Sequence, residues 1–186
     1  MAFVVVYDAC VLYPAPLRDL LIRVGRTRVV RAHWSEEILD ECFRSLMRQR
    51  PELDPERLER TRELMNKALP AAMVTGHMGL VASFSLPDLD DRHVLAAAVR
   101  AGAQAVVTFN LKDFPTVVLE PLGIEAKHPD DFVLESIELA PATIAAAVRV
   151  QAATLRNPPR SVDELLDLLI DQGLPQSVAR LRELLA

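Results

Sequence analysis

Apolar residues follow two rhythms along this chain. Phe3–Tyr7 is a continuous apolar run rich in β-branched residues. Such a run predicts a strand buried on both faces, as in a parallel sheet. Pro14 and Pro16 then punctuate the chain. Leu17, Leu20, Leu21 and Val24 recur at helical spacing, with Gly25 as the expected stop before an Arg-rich loop. Ser35 is placed to cap a further helix, and Glu36 and Glu37 suit its first turn. Its apolar stripe runs Ile38, Leu39, Cys42, Phe43, Leu46, Met47. Alternating charges over residues 55–69 predict a more exposed helix.

Residues 68–87 lack Asp, Glu, Lys and Arg, but Pro70, Gly76 and Gly79 interrupt them. Core strands and turns fit this stretch better than a membrane span. Residues 88–91 lead into an alanine-rich helix that ends near Gly102, and 105–108 reads as a second buried strand. A short helix begins near Asp113, and Gly123 precedes an edge strand near 124–126. Strands alternating with helices predict an α/β fold around an open, mostly parallel sheet.

Residues 129–186 read as entirely helical. Ser161 and Glu164 have the spacing of a capping box, Leu165, Leu166, Leu168, Leu169 and Ile170 supply an apolar face, and Gly173 ends the helix. So small a unit is marginal alone and must rest on the sheet or on a partner. The expected organisation is therefore a domain over 1–128 and a C-terminal helical extension over 129–186.

Charge refines this picture. The chain of 186 residues carries a net charge of −5, which argues mildly against a nucleic-acid binder. The total hides a split. Residues 1–128 hold 17 acids and 16 bases, whereas 129–186 hold nine acids and five bases. Arg18, Arg23, Arg26, Arg28 and Arg31 lie close together with Asp19 alone against them. They read either as a phosphate-facing patch that binds RNA or as a solvated helix face and its exit loop. Cys10 and Cys42 show neither metal-ligand spacing nor a disulfide framework. Reduced packing cysteines, and a beginning with no basic leader, predict a cytoplasmic protein without a membrane anchor.

In open parallel sheets, ligands bind beyond the carboxyl ends of the strands. Asp8 follows the first strand, and Asn110 and Asp113 follow the strand at 105–108. Asp88, Asp90 and Asp91 open the helix that feeds that strand, and Glu41 lies on the helix after the Arg-rich loop. Carboxylates gathered at one end repel unless cations neutralise them, and hard oxygen donors suit Mg²⁺ or Mn²⁺. Such ions activate water and stabilise the leaving oxygen in phosphodiester cleavage. Each acid also has a plainer reading. Asp8 is a turn former, Asp88, Asp90, Asp91 and Asp113 are helix caps, and Glu41 is a solvated glutamate opposite its apolar stripe. His93 reads as packing or surface, and His33, His77 and His128 lack zinc spacing.

Three ordered segments, VVVYDACVLYP, SEEILDECFRSL and PDLDDRHVLAAAVRAGAQAVVTFNLKDFP, with the strand–helix order between them, resemble the PIN-domain family. The resemblance is closest to the VapC-like ribonuclease toxins of bacterial type II toxin–antitoxin modules, and it covers roughly residues 3–128. It implies a three-layer α/β/α sandwich and an Mg²⁺- or Mn²⁺-dependent endoribonuclease held inactive by an antitoxin. By the same resemblance, Asp8 is the first-strand metal aspartate and Glu41 the helix glutamate. Asp91 opens the alanine-rich helix, and Asp113 is the fourth acid. Thr108 matches a polar residue near the metal. Asn110 stands where relatives often carry Asp, so the fourth ligand is shared or water-mediated. Asp88 and Asp90 are additional acids without an assigned role. The extension departs from the minimal family pattern; binding antitoxin, covering the RNA cleft and building a homodimer are its open roles. Two alternatives compete: a non-catalytic binding module on the same scaffold, and an Mg²⁺-dependent phosphatase. The phosphatase requires a second Asp two residues after the first, where this chain has Cys10.

Overall fold

The first apolar run becomes the middle of the sheet. In the computed structural model, which describes residues 3–186, strand β1 (Phe3–Tyr7) pairs in parallel with β2 (Val30–Ser35) and β4 (Ala105–Val107) on its two sides. The first two residues of the expected 1–128 unit lie outside the described residues. β3 (Met73–Val74) adds beyond β2 and β5 (Glu125–Lys127) beyond β4. The order is β3-β2-β1-β4-β5, with every pairing parallel. A central strand covered on both faces leaves no position for a charged side chain, and Val5, Val6 and Tyr7 are fully buried.

Helices α1 (Ala9–Leu12) and α2 (Ala15–Arg26) lead from β1 to β2, and α3 (Glu36–Gln49) and α4 (Pro55–Ala68) lead from β2 to β3. Helix α5 (Arg92–Ala101) returns from β3 to β4, and α6 (Thr116–Leu119) continues to β5. The early crossings step outward from β1 in one direction, and the later ones step back past it. Right-handed crossovers therefore place α2 and α5 on opposite faces, which gives the three-layer α/β/α arrangement.

Three local expectations need correction. Gly25 does not end α2, which continues through Arg26; the positive φ of 64° falls on Arg28 instead. Gly25 serves a close approach, because a β-carbon there would stand 2.9 Å from Leu69 Cδ1 and 3.2 Å from Ala32 Cβ. The second half of the expected Arg-rich loop is strand β2. Its sequence, VRAHWS, conceals the strand because two polar residues, His33 and Ser35, are buried in it. His33 Nδ1 lies 3.2 Å from the Ala72 carbonyl oxygen, and Ser35 Oγ accepts from Ile38 N as the cap of α3. Residues 68–87 supply only the two-residue β3 and a 3-10 run at Met78–Ser83. Among the described residues, no helix is long and apolar enough to cross a membrane.

Of the C-terminal helices α7 (Pro129–Leu139), α8 (Pro141–Thr154), α9 (Val162–Asp171) and α10 (Pro175–Leu185), α8 and α9 pack on α2, α7 reaches β1 through Phe132, and α10 packs on the other three. Phe132 meets Tyr7 edge to face, with ring centroids 5.7 Å apart, and Tyr7 Oη donates to the Leu21 carbonyl at 3.2 Å. Leu17 N, one of the donors left without a partner in the first turn of α2, donates to Gln172 Oε1 at 2.9 Å. Gln151 Nε2 donates to the Pro16 carbonyl at 2.8 Å. Phe132, Leu166, Leu169 and Val178 belong to the same apolar core as Val5 and Leu20.

Asp130 fastens this assembly. Its buried carboxylate accepts from Gln176 N at 3.0 Å and Ser177 N at 2.8 Å, so a residue of α7 caps α10. Asp130→Ala removes both charge-assisted bonds and is expected to cost about 2–3 kcal/mol. Urea denaturation followed by circular dichroism measures this. A midpoint equal to wild type would refute the capping role.

Candidate active site

β1 delivers Asp8 to the carboxyl edge of the sheet. Asp8 N donates to the Val107 carbonyl at 3.1 Å, which extends the ladder by one residue. The carboxylate is held on both oxygens. Oδ1 accepts from Ala9 N at 2.7 Å, and Oδ2 accepts from Thr108 Oγ1 at 2.7 Å and Cys10 Sγ at 3.2 Å. Thr108 Oγ1 also accepts from Asn110 N at 2.9 Å, and Cys10 Sγ accepts from Phe109 N at 3.3 Å. This lattice sews the end of β1 to the loop after β4. The turn-former reading of Asp8 is thus partly right, since it caps α1, but it is also 2% exposed. Burial raises its pKa above the usual carboxylate range, against the lowering effect of the Thr108 and Cys10 hydrogen bonds. Burial first, then the charge of Asp8, pushes the Cys10 thiol up to about 12. Cys10 therefore stays protonated as a donor and cannot replace the second Asp of the phosphatase alternative.

Crossover helices run against the strands, so α3 and α5 begin at this same edge. Asp91 occupies the N-cap position of α5 but makes no capping hydrogen bond. Asp88 Oδ1 accepts from Asp90 N at 2.9 Å, a local turn. Asp91 is 8% exposed. Its pKa is raised to about 7, first by burial and then by the charges of Asp8, Asp88, Asp113 and Glu41. Acids from three other segments, with Asp88 of its own, therefore act on one carboxylate.

Glu41 lies opposite the apolar stripe of α3, and that face borders a cleft of about 540 Å³. Glu41, Asp88, Asp90, Asp91, His93 and Asn110 line it, and Arg44 and Arg48 continue the wall along α3. Glu41 is held there: its Oε2 lies 3.3 Å from His93 Nε2. Burial works to lower the His93 pKa, but the hydrogen bond and charge of Glu41 outweigh it and raise the value. This contact was missed from sequence; its only trace was the position of His93 in the first turn after Asp91. Asp113 closes a 3-10 turn at Leu111–Asp113, half-buried, and is not the helix cap expected of it. Asp8 and Asp113 are not part of the cleft wall. Among the described residues, no three His, Cys, Asp or Glu side chains are grouped closely enough to enclose an ion as they stand.

The arginines expected to form one patch run along α2 to the start of β2: Arg18, Arg23 and Arg26 line one surface hollow, and Arg26, Arg28 and Arg31 the next. Arg18 Nη1 donates to the Leu12 and Tyr13 carbonyls at 2.8 and 3.2 Å, closing the end of α1. Arg23 binds Asp19 at 3.0 Å and Thr154 at 2.9 Å. Arg26, Arg28 and Arg31 are exposed around the entry to β2. Arg31 is in register with Val4, which puts it roughly 13 Å along the strand from Asp8, at the opposite edge.

Comparison with known proteins agrees with this architecture. The PIN domain family model matches residues 4–112. The chain belongs to the PIN-domain family. A second model, the VapC50 C-terminal domain, matches residues 129–183, which are the four helices that pack on this PIN fold. A curated Mycobacterium tuberculosis protein named "Putative ribonuclease VapC50" is 40% identical over 116 residues, 62% of this chain and 68% of that protein. The chain is thus a VapC-like PIN protein. No solved structure gives a significant match.

The carboxylate chemistry of this PIN domain implies a pH dependence. Asp91 has a folded pKa of about 7, above its unfolded value of about 4. Between those values the folded state holds the extra proton, so stability contributed by this group is present at low pH and lost as pH rises through about 7. Melting temperature of the metal-free protein should therefore fall between about pH 5 and about pH 8. Asp91→Asn should flatten that fall. An equal fall in the variant would remove Asp91 as the cause.

Proposed function

We propose that this chain is a divalent-metal-dependent endoribonuclease and the toxin of a cytoplasmic toxin–antitoxin pair. The observation that carries the reading is Asp91, a carboxylate with no capping role that feels Asp8, Asp113 and Glu41 at once on a PIN scaffold. The charges that act on it come from carboxylates, and hard oxygen ligands of this kind suit a cation such as Mg²⁺ or Mn²⁺. Asp8, Asp91 and Asp113 would hold the ion. When bound, it supplies an activated water and neutralises charge on the phosphodiester.

The remaining work belongs to the chain. Thr108 and Cys10 orient Asp8, while His93 keeps Glu41 turned toward α5 and the other acids. Asn110, Asp88 and Asp90 form the rim. The residues over 1–128 are read as the nuclease unit, and 129–186 as an extension that braces it. RNA as substrate is supported by the ribonuclease name of the M. tuberculosis relative, and an antitoxin partner by the VapC-like membership.

Purified protein should cleave single-stranded RNA with Mg²⁺ or Mn²⁺, and EDTA should abolish the cleavage. Asp8→Asn and Asp91→Asn should each lower the rate by more than about 100-fold. Thr108→Val, which removes an outer partner, should cost about 10–100-fold with the fold intact. Undiminished cleavage by both aspartate variants would overturn the reading.

A further inference from the structure

An acidic cleft repels the phosphates it is meant to cut, so the substrate needs a cationic approach. None of the five arginines marked from sequence lines this cleft: Arg18 and Arg23 are engaged by Leu12, Tyr13, Asp19 and Thr154, and Arg26, Arg28 and Arg31 stand toward the other edge of the sheet. Helix α3 does. Counting from Glu41, Arg44 is three residues on and Arg48 seven, so all three share one helix face. Both arginines are exposed and line the same cleft as Glu41 and Asp91. Arg44 and Arg48 lie about 6 Å apart along the helix axis.

Of the four acids of α3, Glu36, Asp40 and Glu41 have partners, and Glu37 lies against His77. Glu36 and Asp40 both bind Arg62, the second at 2.6 Å. Glu37 Oε2 lies 3.1 Å from His77 Nε2, and Glu41 faces His93. Beyond the helix end, Arg50 pairs with Glu52. No ion pair engages Arg44 or Arg48 among the described residues. Two unneutralised guanidinium groups on the wall of the acidic cleft suit two phosphates of a flexible strand, which Arg binds through its fork of donors.

We propose that Arg44 and Arg48 form a phosphate-binding rail that leads single-stranded RNA along α3 to the acids of the cleft. The choice of RNA rests on the nuclease reading above; the placement of the rail rests on the geometry of α3.

Anisotropy of a labelled single-stranded oligoribonucleotide, titrated with full-length protein in EDTA across a salt series, tests this apart from cleavage. Each single-strand phosphate contact contributes about 0.7 to the slope of log affinity against log salt. Arg44→Ala/Arg48→Ala should therefore flatten the slope by about 1.4. Between about 50 and about 200 mM salt, wild type should lose about sevenfold more affinity than this variant. Arg44→Lys/Arg48→Lys, which retains the charge, should keep most of the slope, and Arg26→Ala/Arg28→Ala/Arg31→Ala should leave it unchanged. Thermal melting checks that each variant is folded.

A wild-type slope in the double-alanine variant overturns the rail. So does a loss confined to the Arg26, Arg28 and Arg31 variant. Wild-type RNA binding by the double-alanine variant with lost binding of a polyglutamate peptide assigns the pair to an acidic protein partner, and also overturns it. RNA binding with the expected slope but no metal-dependent cleavage leaves the rail standing and removes the nuclease. Cleavage with an unchanged slope does the reverse.

Discussion

Carboxylates brought together out of water repel one another, and the edge of this sheet is organised around containing that repulsion. Asp8 sits at its base with both oxygens held, by Ala9 N on one side and by Thr108 and Cys10 on the other. Those donors lower the cost of an ionised buried group, while burial and Glu41 raise it. Asp91 lacks such donors, and its pKa rises toward neutrality. Burial thus pushes both carboxyls up, and Asp8 alone has hydrogen-bond donors that offset part of the cost; a divalent cation would meet the demand of both. This asymmetry follows from where each residue falls. Asp8 ends a strand whose neighbours supply hydrogen bonds, and Asp91 opens a helix without folding back on it.

The C-terminal helices bear on the same point from behind. Tyr7, the residue before Asp8, is fully buried between Phe132 of α7 and the backbone of α2. Gln151 and Gln172 satisfy backbone groups at the start of α2. The extension therefore closes the core beneath the strand that carries Asp8, and Asp130 locks it by capping α10. Loosening the extension would reach the site through Tyr7, and also through Phe109, whose ring meets His128 at the start of α7 and whose N–H bonds Cys10.

Charge is distributed by edge rather than by total. The amino edge of the sheet carries Arg26, Arg28 and Arg31, and the carboxyl edge carries the acids. Along α3 the two signs meet, because Glu36 and Asp40 bind Arg62 and Glu41 faces His93, while among the described residues no ion pair engages Arg44 or Arg48 at the cleft wall. A net charge of −5 therefore says little about nucleic-acid binding here. What matters is the sign of the surface next to the acids.

Much of this was readable in the residues. The β-branched run of β1, the stripe of α3, the caps at Ser35 and Ser161 and the alanine-rich α5 are local patterns, and local sterics and periodicity suffice to specify them. Asp8 and Asp91 were also marked, because strand ends and helix starts of a parallel sheet share an edge. Strand β2 was hidden, since its buried His33 and Ser35 are made acceptable by partners distant in sequence or in the next turn. The role of Gly25 was hidden as well, because Leu69 and Ala32 approach it only in the fold. The sequence alone determined the elements whose pattern is local, and it marked Asp8 and Asp91 for one edge of the sheet. The tertiary structure decided that Glu41 turns toward His93, that Asp91 is free of capping, and that arginines of α3 rather than those before β2 border the cleft. Such facing depends on how crossovers set one element against another, and no repeat within a single segment encodes it.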